Sequence, residues 1–246
     1  MTAPKTLPKK KRIVVIGGIS VNDAGGHDKS PWNFINPGLR RAKALATSGQ
    51  SVEVLFYAPS YERRAKAQKT EADSVDNPQK NAQYFESVVK NAADKNGYTV
   101  TKISSSHDLT TRIAANTSIQ SVEYFGHSRD DALFLEYSSV NPGTSTDAWR
   151  IDSASSIPKS NFTEDGYFAS YGCNQGEKNG LMQRLREKWN IRTIGAVGKT
   201  DYEAAGVFGG PTYPSAGDHY VEFPAPDAGS SPEAAKPQTI RFESLP

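Results

Sequence analysis

Short runs of β-branched and aromatic residues recur along this chain, and most are followed by a stretch with helical spacing. The first, Arg12-Ile-Val-Val-Ile-Gly-Gly-Ile-Ser, is continuously apolar before its glycines and shows no alternation of inner and outer residues. A strand of that kind must be covered on both faces, which is the situation in a parallel sheet. Further runs occur at Ser51–Ala58, Tyr98–Ile103, Ile119–Phe125, Tyr167–Tyr171 and Ile191–Val197. Between them lie amphipathic patterns. One starts at Pro37 and stops at Gly49; another covers 79–95, with Phe85, Val88 and Ala92 inward and Gly97 as its stop. Shorter ones cover Asp108–Ala115 and Asn179–Trp189. This alternation predicts an α/β fold: a mostly parallel sheet with helices on both faces. Functional sites in such sheets form at the C-terminal ends of the strands.

The remaining segments read less regularly. Residues 59–78 are charged and suggest an exposed helix or excursion, and Ala132–Tyr137 reads as a further strand, in a hairpin. Asn141–Asn161, rich in Ser, Thr, Pro and Asp, reads as a long surface loop. Three parts are expected. Residues 1–11 form a flexible basic arm, and 12–206 form one α/β domain. Residues 207–246 form a Gly/Pro-rich tail packed on or beside it, with strand-like pieces at Tyr220–Phe223 and Thr239–Phe242.

Charge and cysteine content narrow the function classes. With 29 basic and 27 acidic residues the net charge is +2, so no global field points to nucleic acid or membrane. No run approaches the roughly 18 apolar residues of a membrane-spanning helix, and Met1–Arg12 lacks the apolar core of a secretion signal. A cytoplasmic protein is expected. A single cysteine excludes an internal disulfide and a multi-cysteine zinc site, and the four histidines show no metal-ligand spacing. No metal and no cofactor is expected.

That one cysteine, Cys173, closes the run Gly-Tyr-Phe-Ala-Ser-Tyr-Gly-Cys (166–173). The run Ser-Val-Glu-Tyr-Phe-Gly-His (121–127) ends 46 residues earlier in His127. Two strands would thus each deliver half of a nucleophile–base pair at a C-terminal tip. A thiol needs a neighbour that accepts its proton, and histidine does so near neutral pH. Gly126 and Gly172, just before them, would allow close approach of backbone and substrate. The amides of Ser128 and Cys173 are candidate oxyanion donors. A plainer reading also stands, in which Cys173 fills a core position and His127 closes a strand.

The order and spacing of these residues resemble the caspase-like cysteine peptidases, including CHAT-type and clostripain-type members. In that family an apolar strand ends in a catalytic His, and a later one ends in the catalytic Cys about 50 residues on. The stretch from Gly97-Tyr-Thr-Val-Thr to His127 is similar to the family's approach to its histidine. Ile191-Arg-Thr-Ile-Gly-Ala-Val-Gly is similar to the strand that follows its cysteine segment. The resemblance implies a three-layer sandwich and a cysteine endopeptidase acting on polypeptides. His127 and Cys173 would be catalytic, and Lys199, Thr200 and Asp201 would be candidate pocket residues. Ser128 replaces the usual glycine after the histidine, and no acidic residue precedes Cys173, so no preference for basic residues is implied.

His27 and Asp28 are also candidates to line the crevice, because their loop leaves the first strand at the same edge. Asp130 and Asp131 read either as groups that orient His127 or as solvated loop carboxylates. Gly17-Gly18 and Gly25-Gly26 lack the phosphate-loop pattern. Two further functions stay open: a non-catalytic caspase-like interaction module, and a flavodoxin-like small-molecule-binding domain using the 17–36 loop.

Overall fold

The computed structural model describes residues 10–20, 30–69, 82–137, 147–202, 213–214, 218–225 and 237–240. The chain begins with β1 (Lys11–Ile16), α1 (Ile35–Thr47), β2 (Ser51–Tyr57), α2 (Pro59–Lys69), α3 (Ala82–Asn96), β3 (Thr99–Ile103), α4 (Ser106–Ala114) and β4 (Ile119–Phe125). A three-stranded insertion follows: β5 (His127–Arg129), β6 (Ala132–Glu136) and β7 (Asp147–Arg150). The chain then returns through β8 (Phe162–Ser170), α5 (Leu181–Trp189) and β9 (Arg192–Val197). It ends in β10 (Thr200–Asp201), β11 (Tyr213–Pro214), β12 (His219–Phe223) and β13 (Gln238–Ile240).

The central sheet has eight strands in the order β13-β12-β9-β8-β4-β1-β2-β3. The strands from β9 to β3 in that order run parallel, while β12 and β13 are antiparallel to their neighbours. Parallel crossovers are right-handed, so the direction of each step fixes the face of its helix. Steps from β1 out to β2 and β3 put α1 and α3 on one face, where Ile35, Ala42, Phe85 and Val89 pack on Val14, Ile16, Val54 and Phe56. The opposite steps, β3 to β4 and β8 to β9, put α4 and α5 on the other face. Leu109, Ile113, Leu185 and Trp189 pack there on Ile13, Val15, Val122 and Phe168. The result is the three-layer α/β sandwich expected from the alternation of runs.

Helix ends follow local chemistry. Ser105 caps α4 by accepting the Asp108 amide at 3.0 Å, Gly97 ends α3 with φ 75°, and Asn190 ends α5 with φ 53°. Helix α1 starts at Ile35, two residues ahead of Pro37.

Two segments depart from the sequence reading. Of the expected loop at 141–161, residues 141–146 lie outside the described residues, but 147–150 form β7, followed by 3-10 turns at 153–156 and 159–161. The physical reason is Trp149. It is fully buried, stacks on Phe168 at 5.7 Å, and donates its indole N–H to Thr110 Oγ1 at 2.9 Å. One aromatic anchor thus outweighs the polar composition around it. The strand expected at Tyr167 begins instead at Phe162, because an irregularity in its pairing with β4 absorbs the polar residues near Gly166. The strand-like pieces of the tail are β12 and β13, which extend the central sheet on the β9 side.

Candidate functional site

Strands β4 and β8 are parallel neighbours, with Tyr124 opposite Ser170, and the Tyr171 amide donates to Tyr124 O at 3.0 Å. Gly126-His127 and Gly172-Cys173 therefore leave the sheet side by side at its C-terminal edge. The tips are laced together. Ser128 Oγ donates to the Cys173 carbonyl at 2.7 Å. A side chain at position 172 would run into Ser128 Oγ and come within 2.8 Å of Gly126 O, so glycine is what lets the backbones meet. Gly172→Ala is expected to push the tips apart. Its signature is a Cys173 alkylation rate changed severalfold together with a lowered melting temperature; Gly49→Ala, strained at φ 79° but away from the tips, should lower the melting temperature and leave the alkylation rate unchanged.

The hairpin β5–β6 turns the chain out of the central sheet immediately after β4. Tyr124, buried beneath it, shares its hydroxyl proton between His127 O at 2.8 Å and Phe134 O at 2.7 Å. Burial pushes the Tyr124 phenol well above its ordinary range, so it remains a donor. The His127 ring is half-buried between two aromatics, the edge-on Phe34 at 4.9 Å and Tyr137 at 4.4 Å.

A third element closes the site. Phe34, the residue that precedes α1, also meets Tyr202 edge-on at 4.7 Å. The Tyr202 hydroxyl accepts the Gly126 amide at 3.0 Å and donates to Tyr171 O at 2.9 Å, bridging the His and Cys strands. Desolvation raises the Tyr202 phenol well above its ordinary range and keeps that proton in place.

Cys173 is half-buried, and among the described residues its sulfur meets Thr200 twice: the amide at 3.4 Å and Oγ1 at 3.6 Å. The chain turns directly after the thiol at Asn174, whose φ is 60° and whose amide donates to Gly198 O at 2.7 Å. The Cys173 amide itself has no acceptor among the described residues. A donor left open beside a nucleophile is what an oxyanion site requires.

The structure brings His127, Ser128, Cys173 and Thr200 to one edge. Lys199 lies beside them, but its amide is tied to Asp218 Oδ2 at 2.8 Å. Asp201 is exposed and pairs with Tyr213. His27 and Asp28 lie outside the described residues. Asp130 and Asp131 form the β5–β6 turn, where Arg129 bonds Asp131 at 2.9 Å and holds its carboxyl below the usual range. The Gly17 and Gly18 amides donate to Phe125 O and Leu135 O, each at 2.8 Å, and so do not face a phosphate. Sequence reasoning missed Phe34 and Tyr202. Tyr202 stands as a lone aromatic after a polar strand end, and only the folded chain brings it to the tips.

Among the described residues no cluster of His, Cys, Asp and Glu has a metal-binding arrangement, and no helix is long and apolar enough to cross a membrane. No protein-family model matches the chain, and no curated protein matches it in sequence.

Proposed function

We propose that this chain is a caspase-like cysteine hydrolase that cleaves peptide bonds within polypeptides. The observation that carries the reading is the pair of adjacent parallel tips, one ending in His127 and the other in Cys173, beside an open Cys173 amide. In the first step His127 takes the thiol proton and the sulfur attacks the scissile carbonyl carbon. The oxyanion forms against the Cys173 amide, with the Ser128 backbone as the second candidate donor. The tetrahedral species collapses as the C–N bond breaks, and the leaving amine receives the proton from His127. Water, deprotonated by His127, then attacks the thioester carbonyl, which releases the carboxylic acid product and restores the thiol. These steps need no cofactor. A protein that depends on one free thiol suits a reducing compartment such as the cytoplasm.

The test is incubation with a library of peptides, followed by mass spectrometry of the products. Wild type should generate new termini that Cys173→Ala does not. If wild type cuts nothing while Cys173→Ala retains a polypeptide partner, the non-catalytic module replaces this reading.

A further inference from the structure

We infer that Thr200 is a positioning residue that orients the Cys173 sulfur and donates to the negative charge it carries as it attacks. The inference rests on the hydrolase reading only in assigning a use to the charged sulfur; the contact itself does not depend on it. A backbone N–H can only donate, and the Thr200 amide is directed at Sγ from 3.4 Å. The hydroxyl, at 3.6 Å, can donate or accept while the sulfur carries its proton. Once that proton has left, both groups can only donate. Two donors on one residue then converge on the sulfur at the moment it acts as nucleophile.

The surroundings keep Thr200 in place. It begins the short β10, opposite Pro214 of β11, and proline has no N–H to offer that ladder. The preceding residues are anchored independently: Gly198 O accepts from Asn174, the Gly198 amide meets Glu177 Oε1 at 3.2 Å, and the Lys199 amide meets Asp218. Two residues on, Tyr202 is fixed to both strand tips. The segment 198–202 is thus clamped on either side of Thr200. In the hydrolase His127 would handle the proton while Thr200 steadies the sulfur. Thr200, a candidate pocket residue by resemblance, would thereby also serve the nucleophile.

Cys173 is the one thiol in the chain, so intact mass reports its alkylation directly. The experiment compares iodoacetamide labelling at neutral pH for wild type, Thr200→Val and Thr200→Ser. Valine keeps the amide and the shape but removes the hydroxyl. A hydrogen bond to a charged group contributes about 1.5–3 kcal/mol. Sulfur is the weaker acceptor, and a thiolate relieved of a donor becomes more nucleophilic, which offsets about half of the loss, so Thr200→Val should label about threefold more slowly. Thr200→Ser should stay close to wild type. Labelling of all three in denaturant should be equal.

Wild-type labelling of Thr200→Val would overturn the inference, as would a serine variant as slow as the valine one. Should valine lower the melting temperature, Thr200→Ala removes the hydroxyl together with the γ-methyl, adds no bulk, and must show the same slowing. His127→Ala, labelled in parallel, separates the two ideas. Wild-type labelling of that variant would sink the dyad and leave the Thr200 result standing, and the converse pattern would sink only the role of Thr200.

Discussion

His127→Ala is expected to slow modification of Cys173 by a peptidyl electrophile about a hundredfold or more, and to slow peptide cleavage at least as much. General acid–base groups contribute roughly 10²–10⁴ in rate, and in the proposed cycle His127 acts both in acylation and in deacylation. Structure makes the variant interpretable. The ring lies between Phe34 and Tyr137, while the main chain at 127 is held from below by Tyr124 through a carbonyl that alanine retains. The tip should therefore keep its position when the imidazole is removed. The measurement is the second-order labelling constant, read by intact mass, with the denaturation midpoint as a control. Equal constants for wild type and variant, with an unchanged midpoint, would rule out the dyad.

Arg41→Met should be the most damaging substitution away from the site, lowering stability by about 3–5 kcal/mol. Glu123 on β4 is wholly buried, and Arg41 of α1, only 19% exposed, grips it with two hydrogen bonds at 2.6 and 3.0 Å. Tyr167 of β8 and Tyr171 just after it donate to the same carboxylate at 2.8 and 3.2 Å, and Ser121 at 3.1 Å. Burial first, and then the Glu123 charge, push Tyr167 up to about 12, so that phenol stays a donor. Removing Arg41 leaves the buried charge without its counter-ion. For a domain of this size the melting temperature should fall on the order of 10 °C. The double variant Arg41→Met, Glu123→Leu should recover much of the loss, because it removes the stranded charge as well. If the double variant is as unstable as the two single losses added together, the pair is not coupled as the geometry implies. The same carboxylate joins β4 to Tyr167 of β8 and to Tyr171, in the two segments that lead to His127 and Cys173.

The parts of this fold that could be read from sequence are those whose signal is local. Ile13–Ile16 is apolar at every position because both faces of β1 are covered, and helix stops such as Gly97 announce themselves by backbone geometry. The placement of Cys173 and His127 at strand ends was legible for the same reason. The rest depends on partners distant in sequence. Strand β7 exists because Trp149 finds Phe168 and Thr110, and nothing in Asp147–Arg150 encodes those contacts. Nothing local in the run 121–127 marks Glu123, whose partners are Arg41, Tyr167 and Tyr171, distant in sequence. Phe34 and Tyr202 are 168 residues apart, and no periodicity links them. Thr200 was singled out for its position after a strand, but its partner atom is visible only in three dimensions.

The antiparallel strand β12 has a temporal meaning. It pairs with β9 from Thr193 to Val197, and Asp218 just before it fastens the Lys199 amide. On a ribosome, which makes the N-terminal part first, His127 and Cys173 emerge well before the residues that steady their surroundings. The thiol's clamp closes only when the chain has grown past β11 and β12. A nascent hydrolase of this design would carry its nucleophile in an unfinished pocket until β11 and β12 have left the ribosome.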